Sequence, residues 1–245
     1  MFALPKVMGH RGAAAHAPEN TLAGLRAAAA QGARWVEFDV MLTGDSVPVL
    51  FHDDNLKRLT GRNALMARTS FAELGALEAG RWFDPAFAGE PIPSLEQAAA
   101  LVVELGLTPN IEIKPTPGRD AETAREALSV LRQCWPADRP PPLVSSFSRI
   151  ALEIARELAP DWPRGFLAWR LPRDWTAAAE RLGCVTVHLR AERLSRRTIA
   201  RVHEAGYALA AFTVNRPTRA RRLWARGCDC IISDRPGEIL AVLEP

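Results

Sequence analysis

Apolar and polar positions alternate along this chain with two different periods. Between Trp35 and Asp53 the period is that of a strand: Val36, Phe38 and Val40 fall on one face, Glu37 and Asp39 on the other. Residues 43–46 interrupt the run and 47–51 resume it, which predicts a hairpin. If the turn centres on Gly44-Asp45, residue i opposes residue 89 − i and Glu37 faces His52. Further short apolar runs predict strands at 6–10, 109–114, 142–147, 165–169, 185–189, 207–214 and 230–233. Helical periodicity separates them, at 21–31, 94–106, 120–134, 148–158, 175–182, 195–205, 218–226 and 236–242. Asn20 or Thr21 caps the first of these helices and Ser94 the second, while Gly32, Gly106, Gly206 and Gly227 stop helices.

Repeated strand–helix units predict a parallel sheet. Nine strand candidates are present, one being the return arm of the hairpin, and about 250 residues suit a closed (β/α)8 TIM-type barrel. The whole of 1–245 reads as a single barrel domain. Residues 54–93 break the alternation after the second strand and hairpin, and read as a small inserted subdomain or lid at the barrel mouth.

Composition narrows the function classes. Of 245 residues 48% are hydrophobic and 24% charged, ordinary for a globular chain, and the net charge of +3 is too balanced to predict nucleic-acid binding. The arginine-rich helices at 193–201 and 216–226 read as solvated faces. No apolar run approaches the ~20 residues that span a bilayer, so no stable membrane insertion is expected. No secretory signal is visible, and the four scattered cysteines read as reduced thiols of a cytoplasmic protein. Nothing in the pattern fixes an oligomeric state. No glycine-rich nucleotide loop follows any strand.

Polar residues at the C-terminal ends of barrel strands gather at one mouth. Here they are His10 and Arg11, Glu37 and Asp39 with His52 returning beside them, and Glu112 with Lys114. Three carboxylates, Glu37, Asp39 and Glu112, suit one hard divalent cation, Mg²⁺ or Ca²⁺. Arg11 and Lys114 add positive charge that suits a bound phosphate. Two histidines can divide acid and base roles near neutral pH. The set points to phosphoester hydrolysis. The plainer alternatives are an exposed strand carrying Glu37 and Asp39, Arg11 as a structural partner of Glu19 or Asp39, and Lys114 paired with Glu112.

The motifs His10-Arg-Gly-Ala-Ala-Ala-His-Ala-Pro-Glu-Asn-Thr21, Glu37-Phe-Asp39, Pro48-Val-Leu-Phe-His-Asp53, Ile111-Glu-Ile-Lys114 and Ile232-Ser-Asp-Arg-Pro236 occur in that order. In them the chain resembles the glycerophosphodiester phosphodiesterase family, across nearly its whole length. The resemblance implies a TIM-type barrel with a small insertion, and hydrolysis of a small-molecule glycerophosphodiester to sn-glycerol 3-phosphate and an alcohol. It implies Glu37, Asp39 and Glu112 as metal ligands, His10 and His52 as the acid–base pair, and Arg11 and Lys114 on the phosphate. It also implies attack by the glycerol 2-hydroxyl through a cyclic phosphate, with direct attack by water as the other route. Trp169 and Asn215, both at strand ends, are further substrate-site candidates, and core packing is the plainer reading of Trp169. His16, His188 and His203 read as surface or packing residues. Two other functions fit the same residues: a lysophospholipase D acting on lipid-tailed diesters, and a catalytically silent phosphodiester-binding protein.

Overall fold

Eight parallel strands close into a barrel in the computed structural model, which describes residues 2–243, the side chain of Arg193 excepted. Strand β1 (Val7–Gly9) leads to helix α1 (Leu22–Ala30), then β2 (Trp35–Leu42) and its return arm β3 (Pro48–Leu50). Strands β4 (Thr108–Ile113), β5 (Leu143–Ser146), β6 (Arg164–Ala168), β7 (Thr186–Arg190), β8 (Ala208–Phe212) and β9 (Cys230–Ser233) follow. The order around the sheet is β1-β9-β8-β7-β6-β5-β4-β2, closed by β1 against β2, with β3 antiparallel on the end of β2. The hairpin's return arm is thus the ninth strand and stands outside the barrel count.

Alternation builds the layers. Outward residues of β2, β4 and β5, among them Val36, Phe38, Ile111 and Val144, pack under α1, α4 (Leu95–Glu104), α5 (Asp120–Cys134) and α6 (Arg149–Leu158). A second apolar layer joins the later strands to α7 (Trp175–Arg181), α8 (Arg196–Glu204), α9 (Pro217–Trp224) and α10 (Pro236–Leu240). Met8, Leu143, Ala210, Cys230 and Ile232 form a separate apolar cluster contributed by strands on opposite sides of the ring. Gly165 leaves room for His188: a Cβ there would lie 3.0 Å from the imidazole Nε2. Thr21 caps α1, accepting from the Gly24 N–H at 3.0 Å, a bond of about 1 kcal/mol.

The hairpin register differs from the expected one. Val40 opposes Leu50, Met41 opposes Val49 and Leu42 opposes Pro48, so residue i faces residue 90 − i. The cause is the width of the turn. Ser46 adopts φ +64°, and the Thr43 hydroxyl accepts from the Val47 N–H at 2.9 Å while donating to Asp45 at 2.6 Å. The loop therefore spans 43–47 instead of turning on two residues. The ladder ends at Leu50, so His52 lies beyond it and does not pair with Glu37.

The segment after β3 folds as short turns: α2 (Lys57–Thr60), a 3₁₀ turn at Met66–Arg68, α3 (Phe71–Leu74) and a 3₁₀ turn at Pro85–Phe87. Between residues 70 and 79 the only helix is the four residues of α3, capped by Ser70 and Glu73. Leu56, Leu59, Met66, Leu74 and Ile92 form a small core that seats on Met41, Val49 and Phe51 of the hairpin region. Asp53, Asp54 and Asn55, at its start, reach the barrel mouth. Among the described residues no helix is long and apolar enough to cross a membrane.

One turn controls how the first strand enters the site. Arg11 has φ +49° and Gly12 φ +87°, and a Cβ on Gly12 would meet the Gly24 carbonyl oxygen at 2.5 Å. A left-handed non-glycine conformation alone costs about 1–3 kcal/mol. Gly12→Ala is therefore expected to lower unfolding free energy by more than about 2 kcal/mol. Urea denaturation measures this, and an unchanged midpoint would reject the packing argument.

Candidate active site

A cavity of about 1140 Å³ opens at the C-terminal ends of the strands, lined in part by His10, Arg11, Asp39, His52, Glu112 and Lys114. Glu37 sits behind them. The parallel register sets Asp39 opposite Glu112 on the neighbouring strand, and period-two alternation turns Glu37 to the same face. The side-chain oxygens of Glu37, Asp39 and Glu112 all lie within 4.8 Å of one another. All three residues are buried, at 4%, 2% and 8% exposure, which removes the reading of an exposed strand.

Burial of three acids together splits their protonation. Burial, then repulsion from Asp39 and Glu112, pushes Glu37 well above the ordinary carboxylate range, against the pull of Arg11. Burial and the Asp39 charge push Glu112 up to about 8. Asp39 is held lower than usual: burial opposes its charge, but Arg11, His52, Lys114 and a hydrogen bond from Asn20 outweigh it. Such a cluster fits a divalent cation, because the ion supplies the charge that lets all three ionise.

Arg11 is the main cation already present. Its backbone N–H donates to Glu37 Oε2 at 3.0 Å, its Nη1 to Glu19 at 2.7 Å, and its Nε lies 3.1 Å from Asp39. The left-handed turn at Arg11 lets one residue reach both β2 carboxylates. Both structural partners considered for Arg11 are real, and neither contact uses Nη2. Lys114 lines the cavity, and its charge acts on Asp39 and Glu112.

Each histidine is fixed by a carboxylate. His10 Nδ1 is 2.6 Å from Asp234 Oδ1, with Nε2 3.9 Å from Glu37. His52 Nδ1 is 2.6 Å from Asp53 Oδ1. An Nδ1–H donated to the carboxylate leaves Nε2 of each ring as the free nitrogen. Burial pulls the His52 pKa down, and Arg11 adds to this while Asp39 and Asp53 oppose it. Asp53 is itself held at about 2: burial opposes its charge, and hydrogen bonds from Arg58 and His52 overcome that. Arg58 comes from α2 in the inserted segment. It bonds Asp53 at 2.6 Å and Glu19 at 2.7 and 2.8 Å, so Arg11, Glu19, Arg58, Asp53 and His52 form one chain of contacts.

The two remaining candidates separate. Trp169 is 60% exposed, which removes core packing; it stacks on Phe147 with ring centres 5.0 Å apart, edges Phe212 and carries Arg190 over its face. These residues form the wall of the cavity opposite the carboxylates. Asn215 is not among the residues that line the cavity. Its Nδ2 donates to Asp234 Oδ2 at 2.5 Å and its Oδ1 accepts from the Asp234 N–H at 2.9 Å, so it holds the partner of His10. Sequence reasoning gave no site role to Asp53, Asp234 or Arg58, and read Asn20 only as a candidate helix cap. The adjacency His52-Asp53 was an available signal, as was an acid directly after the last strand at Asp234. Arg58 had none. Of the other histidines, His16 and His203 face Glu238 and Asp229, and buried His188 is pushed down to about 3 by desolvation.

A family model described as "Glycerophosphoryl diester phosphodiesterase family" matches residues 10–238. The chain belongs to this family. The phosphodiesterase is 33% identical to Bacillus subtilis YhdW over 96% of each chain. It is 28% identical to the glycerophosphodiester phosphodiesterase of Caldanaerobacter subterraneus subsp. tengcongensis, again over 96% of each. It superposes on an Oleispira antarctica phosphodiesterase, solved in complex with the product sn-glycerol-3-phosphate, with a TM-score of 0.96 and 40% identity, covering 99% of this chain and 98% of that one.

The carboxylate cluster makes a testable statement about pH. Unfolded, Glu112 ionises near 4.5; folded and metal-free, it keeps its proton to about 8. The folded state binds the extra proton between those values, so the Glu112 contribution to stability is lost as pH rises through that window. With chelator present, the stability of wild type minus that of Glu112→Gln is expected to fall from pH 4.5 to pH 8. Urea titrations across the range check it, and a constant difference would sink the assignment.

Proposed function

We propose that this phosphodiesterase hydrolyses glycerophosphodiesters to sn-glycerol 3-phosphate and an alcohol, using a divalent cation and two histidines. The carrying observation is a buried carboxylate cluster and two carboxylate-fixed histidines around one cavity. The likeness to a phosphodiesterase solved with sn-glycerol-3-phosphate supports the same substrate class. Glu37, Asp39 and Glu112 hold the ion, Mg²⁺ or Ca²⁺ by the hardness of their oxygens. Bound there, it supplies a Lewis acid that polarises a phosphoryl oxygen and neutralises developing charge.

The chain's own residues do the rest. Arg11, through Nη2, and Lys114 grip the phosphate oxygens. Nε2 of one histidine takes the proton of the attacking hydroxyl, and Nε2 of the other protonates the departing alcohol oxygen. The attacking hydroxyl is the glycerol 2-hydroxyl, closing a cyclic phosphate that water then opens, or it is water itself. Phosphorus NMR of the reaction distinguishes the two through the cyclic species. Trp169 and its aromatic neighbours flank the alcohol. A silent binding protein is disfavoured because both histidines and their carboxylate partners are in place.

Glycerophosphocholine or glycerophosphoethanolamine is expected to release glycerol 3-phosphate, with chelator abolishing release and added Mg²⁺ or Ca²⁺ restoring it. Absence of release with every divalent metal tried would overturn the reading. Lysophosphatidylcholine in a parallel arm tests a lipid-tailed substrate. His10→Ala and His52→Ala are each expected to cost about 100-fold or more in kcat with metal titration unchanged. Arg58→Met removes the counter-charge of Asp53, which holds His52, and of Glu19, which holds Arg11, so about a tenfold loss in kcat with a smaller change in KM is expected. An equal rise in KM would place Arg58 on the substrate instead.

A further inference from the structure

A second cavity, of about 620 Å³, adjoins the active site between the loop after β7 and helix α9. Glu192 and Thr213 line both cavities, so the two are neighbours. Four arginines line it: Arg216, Arg219, Arg222 and Arg226. Among the described residues none of the four makes an ion pair, although twelve other arginines of the chain do. The single carboxylate on the wall, Glu192, is engaged by Arg190 at 2.9 Å. Among the described residues Arg226 has one hydrogen-bond partner, the Leu194 carbonyl at 3.2 Å. The first turn of α9 has no side-chain cap, and Thr218 and Arg219 of that turn line the cavity.

Four arginines on one concave surface, three exposed and Arg219 half-buried, make a positively charged patch that favours an anion. Guanidinium donors with hydroxyls beside them suit a phosphate, which arginine grips with two parallel bonds. An anion here lies next to the substrate's departing alcohol, on the side of the mouth away from the buried carboxylates. We infer that this arginine cavity is a subsite for a second phosphate carried on the leaving alcohol, so that the preferred substrates are glycerophosphodiesters of phosphorylated polyols. The inference rests on the proposed hydrolysis for its orientation and adds the class of alcohol. A concave site beside the catalytic cavity favours part of the same substrate over a flat anionic membrane.

The test compares glycerophosphoglycerol with the same diester phosphorylated on its free glycerol, in the wild type and in Arg219→Gln/Arg222→Gln. Wild type is expected to favour the phosphorylated diester in kcat/KM by at least about tenfold, the scale of one charge-assisted bond, and the variant to lose that preference alone. Equal kcat/KM for the two diesters in wild type overturns the subsite. If neither diester is cleaved the hydrolytic reading fails, and titration calorimetry with both diesters still decides: a preference in Kd that the variant loses supports the subsite, and equal Kd values overturn it. Phosphatidylglycerol vesicles form a third arm. Vesicle binding lost in the variant, with no preference between diesters, would reassign the arginines to a membrane surface and overturn the inference.

Discussion

Mutual repulsion among Glu37, Asp39 and Glu112 is the constraint on which the mouth of this barrel depends. Removing a charge from water costs several kcal/mol, and three acids with oxygens within 4.8 Å cannot all ionise unaided. Much of the surrounding structure answers that problem. Arg11 adopts a left-handed backbone to bring an N–H to one acid and its guanidinium to another. Asn20, also left-handed, clamps Asp39 from both sides, donating to its carboxylate and accepting from its N–H. Strained residues concentrate where electrostatics demand them, on the short loop between β1 and α1.

The same demand ties the inserted segment to the barrel. Arg11 needs Glu19 as counter-charge, Glu19 takes Arg58 from α2, and Arg58 fixes Asp53 and so His52. His52 stands on no strand. Its ladder ends two residues earlier, and its ring is placed by this chain of ion pairs instead of by sheet register. His10 is placed differently, by Asp234 at the far end of the sequence, itself held by Asn215. One histidine therefore depends on the insertion and the other on closure of the barrel.

What the sequence made legible follows the range of the forces involved. Alternation is local, so the strands, the barrel and the shared face of Glu37 and Asp39 were readable from residues a few positions apart. Helix caps at Thr21 and Ser94 were readable for the same reason. The hairpin register was not, because a single left-handed residue, Ser46, decides between a two-residue and a five-residue turn. The partners of the histidines were harder still. Asp234 lies 224 positions from His10 and meets it only because β9 pairs with β1. Arg58 sits among short turns with no periodicity, and only its contacts reveal its place. The arginines of α9 read as a solvated face in sequence; the cavity they line appears only when α9 folds beside the loop after β7.

The finished mouth is electrically divided. The β2 and β4 side holds the buried acids, whereas Arg216, Arg219, Arg222 and Arg226 line the cavity beside α9 with no ion pair among the described residues. Trp169, Phe147 and Phe212 form an aromatic cluster on the cavity wall, with Arg190 over the Trp169 face. On the proposed reading, the phosphate of a diester sits with the cation and its alcohol lies across the aromatic cluster. The direction of the substrate follows from the same reading: glycerophosphate toward the carboxylates, leaving alcohol toward the arginines. A neutral alcohol would leave the arginine side uncompensated, and an alcohol bearing its own phosphate would complete it.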